Sequence, residues 1–288
     1  MMSNPKALRW QAGIACGLVT IMGWPAGAED PFRTGEQARP ISAETALAFE
    51  SFFCLGEYVN SREKLEAAQA TSPEEPLVTA LLAALSYQES DLEAFANYST
   101  QTRELGEALQ ETDPLRGSLY EGVGYGMEAA NVIVREGVVL GLPRALPILN
   151  NLFESIRAAQ AVDPEDPELN LLNGYMDLLL TNRDKALEQF QLAGPPYMAL
   201  RGTALTLRDM GQFEEALEAV DQALETSCDN PELYYLKAQI LVGQEEDEAA
   251  VGFFDQALES ADQLPPGLVE QIERERNSSS LRSEASGF

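Results

Sequence analysis

The sequence predicts an all-α fold: a row of antiparallel helix pairs stacked side by side. Three observations predict it. The pentapeptide Asp221-Gln222-Ala223-Leu224-Glu225 returns letter for letter as Asp255-Gln256-Ala257-Leu258-Glu259, 34 residues later. The same offset pairs Ala204 with Ala238, Leu207 with Leu241 and Ala216 with Ala250. No stretch shows sustained strand alternation, whereas apolar residues recur at helical spacing between proline and glycine breaks. A fixed period of this length marks a helical hairpin that hides its apolar face only against its neighbours.

The elements follow in chain order. Met1 to Arg9 is polar and carries Lys6 and Arg9; residues 10–24 are mostly apolar and uncharged; Pro25-Ala26-Gly27-Ala28 then supplies small residues. This is the layout of a secretory signal over 1–28, cleaved after Ala28. The apolar run falls short of the roughly 20 residues a bilayer span needs, with an uncleaved anchor as the alternative. A lipoprotein site at Cys16 fits poorly, because apolar sequence continues past the cysteine. Export places the chain in a periplasm or a thylakoid lumen, with no membrane attachment after cleavage.

Residues 29–41 read as a flexible lead. Ser42 is a helix cap, followed by an apolar stripe through Ala46, Phe49 and Phe53. A helix from Arg62 to Ala70 should stop at Ser72-Pro73, and others open at Pro76, near Asp91 and at Pro114. Leu142-Pro143 should break the helix that carries Leu119, Val123, Met127 and Val134. A helix with Leu149, Leu152 and Ile156 then ends at Asp163-Pro164. These pieces make up divergent hairpins over 42–166.

Regular repeats occupy 167–262, in units 167–196, 197–230 and 231–262. Phe213, Ala216, Leu217, Val220, Ala223 and Leu224 fall on one helix face. Small residues at Gly174, Ala186, Ala204, Ala216, Ala238 and Ala250 let the two helices of each pair approach closely. A capping helix is expected over 263–276 and a disordered tail over 277–288.

Composition narrows the chemistry. Among 288 residues there are 47 acidic and 19 basic ones, a net charge of −28. Such a field repels phosphate backbones, so nucleic acid is not an expected partner, and basic proteins would be steered in. There is no histidine, which removes the commonest metal ligand and every His-containing triad. No metal, cofactor or catalytic residue is expected. Cys54 and Cys228 lie far apart along the presumed row, so the expectation is a buried Cys54 and a loop Cys228, without a bridge. Gly122, Gly124 and Gly126 lack the spacing of a phosphate loop and read as close helix packing.

The repeats resemble the tetratricopeptide repeat family. The unit from Tyr197 supplies Leu200, Ala204, Leu207, Ala216, Val220 and Ala223 at the family's places, and departs from it at Thr203 and Cys228. The unit from Pro231 supplies Tyr234, Ala238, Leu241, Ala250, Phe254 and Ala257, and departs at Lys237. The unit from Pro167 is weaker, with Asp177 where Tyr or Leu belongs. An exported, acidic, histidine-free chain of this kind resembles those of cyanobacteria. The resemblance implies a right-handed solenoid and a non-catalytic scaffold that holds a partner peptide or protein in its concave groove. The groove places fall on Leu171, Tyr175 and Leu178, on Arg201, Leu205 and Arg208, and on Tyr235, Gln239 and Val242. Arg201 and Arg208 would hold a peptide carboxylate or else form surface ion pairs.

Two other classes stay open. The apolar groove residues Leu171, Tyr175 and Leu205 allow a module for a small molecule or lipid. An enzyme would sit in 42–166, around Tyr120, Glu121, Tyr125 and Arg135, although their spacing names no reaction.

Overall fold

The computed structural model describes residues 30–286; the expected signal sequence lies outside them. Within this span the chain is helical. Helices α1 (Ala43–Phe49) and α2 (Tyr58–Thr71) pair through a π-helical turn, Glu50–Cys54. Helices α3 (Pro76–Gln88) and α4 (Leu92–Leu109) form the second hairpin. The long α5 (Pro114–Val162) reverses direction at Gly137 and is itself a third hairpin. Then come α6 (Pro167–Leu179) with α7 (Arg183–Phe190), α8 (Pro196–Asp209) with α9 (Phe213–Thr226), and α10 (Pro231–Gly243) with α11 (Asp247–Leu258). Helix α12 (Pro266–Ser286) closes the row.

The sequence shows why these helices start where they do. Pro76, Pro114, Pro167 and Pro231 stand in the first turn, where a missing N–H costs nothing. Ahead of them Glu75, Asp113, Asp166 and Asn230 accept backbone N–H groups that the helix leaves unpaired. Ser42 caps α1 as expected, its hydroxyl 3.1 Å from the Thr45 nitrogen. The small residues do what packing requires: Ala186, Ala204, Ala216, Ala238 and Ala250 are fully buried, and the Gly174 position has room for no side chain.

Four expectations are corrected. The break in α5 falls at Gly137, whose φ of 75° suits glycine, and not at Leu142-Pro143. Pro143 and Pro147 continue the second arm on its exposed side, where the carbonyls they leave free meet water. The lead is not free, because Arg33 is buried and bonded to α6. The tail stays helical to Ser286, with Ser279 buried and Arg282 clasping Asp247 at 2.6 Å. Finally, Cys54 and Cys228 are joined by a disulfide.

The disulfide can form because the row curls until its first hairpin meets its last. Asn230 Nδ2 donates to the Phe53 carbonyl at 2.8 Å, and Tyr58 Oη donates to Glu232 at 2.5 Å. Asn60 N–H reaches the Gln263 side chain at 3.2 Å. Residues remote in the sequence thus become neighbours across a closed ring.

Candidate functional site

The ring divides the expected groove into two parts. In the upstream part the chain fills its own concave face. Phe32 from the lead and Phe53 from the π turn pack among Leu77, Leu171, Tyr175 and Met198. Phe49 links them, with ring centroids 5.1 Å from Phe32 and 4.9 Å from Phe53. Leu171 is buried here, and Tyr175 Oη donates to the Met198 carbonyl at 3.2 Å. Leu178 is half-buried against the same core.

A buried ion network anchors this filling. Arg33 Nε lies 2.6 Å from Asp166 Oδ2, and its Nη2 lies 2.7 Å from Asp166 Oδ1 and 2.8 Å from Glu168. Glu168 also accepts from Arg116 Nε at 3.2 Å and from Tyr120 Oη at 2.5 Å. Arg116 reaches on to Glu75 at 2.8 Å. Burial pushes the Glu168 carboxyl up, but Arg116, Arg33 and the Tyr120 hydroxyl together outweigh it, so its pKa lies below the usual glutamate value. Burial likewise opposes the charge on Arg33, and Glu168 and Asp166 hold it above its ordinary value.

Arg201 and Arg208 do not form one anion clamp. Arg201 faces the upstream part and pairs with Glu232, which also takes the Tyr58 hydroxyl. Arg208 faces downstream, with Asp209 at 2.8 Å and Gln239 at 2.6 Å. The intrachain ion pairs, weighed above as the alternative, are what form.

The downstream part stays open. A hollow of about 510 Å³ is bounded by Arg208, Gln239 and Val242 from α8 and α10, and by Arg274, Ser278 and Arg282 from α12. Leu205 is half-buried on the same helix. Gln239 Nε2 and Tyr235 Oη both donate to Glu275, at 3.0 and 2.8 Å, tying the groove floor to α12. Arg282 is held by Asp247, whereas the Arg274 guanidinium has no partner among the described residues. Three guanidinium groups thus gather at one rim of a strongly acidic chain.

The residues weighed for an enzyme do not converge. Tyr120 is committed to Glu168 and Glu121 to Gln110 at 2.8 Å and Ser155 at 3.0 Å. Tyr125 lies under Arg103, 5.7 Å from its ring centroid, and Arg135 bonds Asn131 and the Leu92 carbonyl.

Sequence reasoning missed Glu168, Met198 and Glu232 as concave-face residues. Each stands three residues before Leu171, Arg201 and Tyr235, one turn earlier on the same face, and that spacing was the available signal. Arg33 and the α12 arginines gave no such signal, since neither segment carries the repeat.

The family model described as tetratricopeptide repeat matches residues 201–265. The chain carries tetratricopeptide repeats. The match runs through α8 to α11, the hairpins with the letter-for-letter recurrence. No curated protein matches the chain. Among solved structures, it is similar to the TPR2AB domain of yeast Sti1 in complex with an HSP90 peptide. That likeness has 17% identity over 82% of this chain and 97% of that one, at a TM-score of 0.38. Yeast Tom70 is similar at 16% identity over 78% of this chain and 44% of its own, with a TM-score of 0.46. The type IV pilus biogenesis factor PilW is similar at 15% identity over 84% and 90%, with a TM-score of 0.41. At these scores the likenesses carry no argument about what the tetratricopeptide repeats bind here.

Proposed function

We propose that this chain is a non-catalytic protein-interaction scaffold of an extracytoplasmic compartment, and that its partner segment is held in the downstream half of the concave face. The observation that carries this reading is the open hollow between α8, α10 and α12. There the unpartnered Arg274 stands with Arg208 and Arg282 around Val242, the apolar residue of the lining. Guanidinium groups grip carboxylates in paired hydrogen bonds. An acidic side chain or chain terminus of the partner suits this rim better than the basic segment that net charge alone would favour.

The Cys54–Cys228 disulfide supports the exported part of the reading, since such bonds persist in oxidising compartments. The test is capture of partners from an extracytoplasmic extract by the wild-type protein, in parallel with Arg274→Glu and Arg208→Glu. A partner retained by the wild type and lost by both variants, at unchanged thermal midpoints, is expected. Recovery of nothing beyond what a charge-matched control protein retains would end the proposal.

A further inference from the structure

The tip of the α5 hairpin breaks with the surface around it. Past Gly137 the chain runs Val138-Val139-Leu140-Gly141-Leu142. Val138 is 67% exposed, Val139 and Leu140 are more so, and Val134, Leu142 and Leu146 beside them also face solvent. Small residues explain the arrangement. A Cβ on Gly141 would stand 2.8 Å from the Ile133 Cα, and Ala145 is fully buried. The two arms thus press together through Gly141 and Ala145, and the large apolar side chains are left on the outside. A run of exposed apolar residues of this kind marks a contact surface.

The tip also overhangs its neighbours. Arg135 bonds the Leu92 carbonyl, where α4 begins, so the residues beyond it reach past α4. On the other side, α6 packs on Leu152, Ile156 and Ala159, and its end at Leu180 borders one hollow with Phe153. Residues 138–147 therefore extend past α6 as well. The surface is a convex projection and not a groove.

Its charge is as unusual as its shape. Residues 129–153 hold one acidic residue, Glu136, against Arg135 and Arg144, a local charge of +1 in a chain of −28. Glu136 is itself paired with Arg144 at 2.5 Å. This choice of residues narrows the occupant. A second copy would bring another −28 and be repelled. An anionic bilayer would be repelled by the rest of the chain in the same way. A bilayer of zwitterionic headgroups opposes neither the chain nor the tip. Its interface takes apolar side chains, while arginines such as Arg135 and Arg144 keep their heads among the phosphates.

We propose that the α5 tip docks the chain on a zwitterionic lipid bilayer, with Val138, Val139, Leu140 and Leu142 sunk into the interface. No described helix is long and apolar enough to cross a membrane, so the contact is with the interface alone. It replaces the expectation that the cleaved chain has no membrane attachment. None of these residues borders the Arg274 rim, so the capture experiment above and the one below succeed or fail independently.

The chain from Glu29 onward contains the whole described fold. It leaves out the apolar residues 10–24, which could bind lipid by themselves, and with them both tryptophans, Trp10 and Trp24. In this chain Val139→Trp is a single reporter. With phosphatidylcholine vesicles at about 1 mM lipid, its emission moves to the blue and is quenched by lipids brominated on the acyl chain. Leu281→Trp, at an exposed position on α12, shows neither change. Val139→Asp with Leu140→Asp lowers the fraction that sediments with vesicles at least tenfold, at an unchanged thermal midpoint. Failure of the parent chain to sediment with vesicles overturns the proposal. So does vesicle binding that the double variant retains, or a blue shift at Leu281→Trp equal to that at the tip. A dimer in sedimentation velocity that the double variant dissolves, without vesicle binding, assigns the tip to a second copy and overturns it too.

Discussion

Arg33 and Glu168 meet at 2.8 Å, and each side chain is 1% exposed. The contact fastens the lead to the inner face of α6, across 135 residues of sequence. A charge pair this deep is only as good as its completeness, since removal of one partner strands the other in a poor solvent. Arg33→Ala therefore leaves Asp166 with only the more distant Arg39, at 3.7 Å, and Glu168 with Arg116 as its one cation. It should cost about 3–5 kcal/mol in urea unfolding. Loss below 1 kcal/mol would show that water enters the network.

The same network sets a pH dependence. The Glu168 carboxyl has a folded pKa below its ordinary value, the combined pull of Arg116, Arg33 and the Tyr120 hydroxyl outweighing burial. Its contribution is therefore complete above the unfolded glutamate value of about 4.3 and is lost as pH falls through the depressed folded value. Asp113, bonded to Arg39 and to the Arg116 N–H, shifts in the same direction. The thermal midpoint should drop as pH is lowered below about 4.3, and Glu168→Gln should flatten that slope. Equal slopes in the two proteins would remove Glu168 from the account.

Reduction should loosen the ring more than any single contact. Cys54 and Cys228 are separated by 174 residues, and closing so long a loop in the unfolded chain is worth up to about 5 kcal/mol on the chain-entropy model. A Cys54→Ser, Cys228→Ser double variant, and wild-type protein in dithiothreitol, should melt lower by the same amount. Mass shift after maleimide labelling checks that the wild type starts without free thiols at these two positions.

Phe190 is sandwiched by two glycines. A Cβ at Gly174 would stand 2.5 Å from its ring and one at Gly202 2.3 Å. Gly202→Ala should destabilise by about 1–3 kcal/mol through overpacking. Phe190→Leu in the same chain should recover part of that loss. Additive losses in the double variant would contradict the contact.

The tip of the α5 hairpin gives the opposite expectation. Val139 is 86% exposed and Leu140 68%, so neither contributes to the core. Val139→Asp with Leu140→Asp should move stability by no more than about 0.5 kcal/mol. A larger loss would mean that the tip is covered.

The sequence made the local parts legible. Ala204, Ala216, Ala238 and Ala250 could be placed on hairpin crossings because helix pairing is decided within one period. The closed ring was not legible, because curvature accumulates from small rotations that no single repeat encodes. Hence Leu171 and Arg201 look like open groove in the sequence, though Phe53 and Glu232 cover them, and Cys54 looks unbridged. The lead is illegible for another reason: its polar residues resemble a linker until Arg33 finds Asp166. Pro143 does not break its helix, because it lies on the exposed side of the arm.

An open row of repeats frays from its outermost units, because each end has one neighbour where inner units have two. Here the bond from Cys54 to Cys228 and the Asn230 contact to Phe53 give the first unit a second neighbour. Unzipping from the amino terminus is thereby blocked. A protease that nicks the α5 tip would leave both halves tied together, and separating them would take reductant as well as a cut.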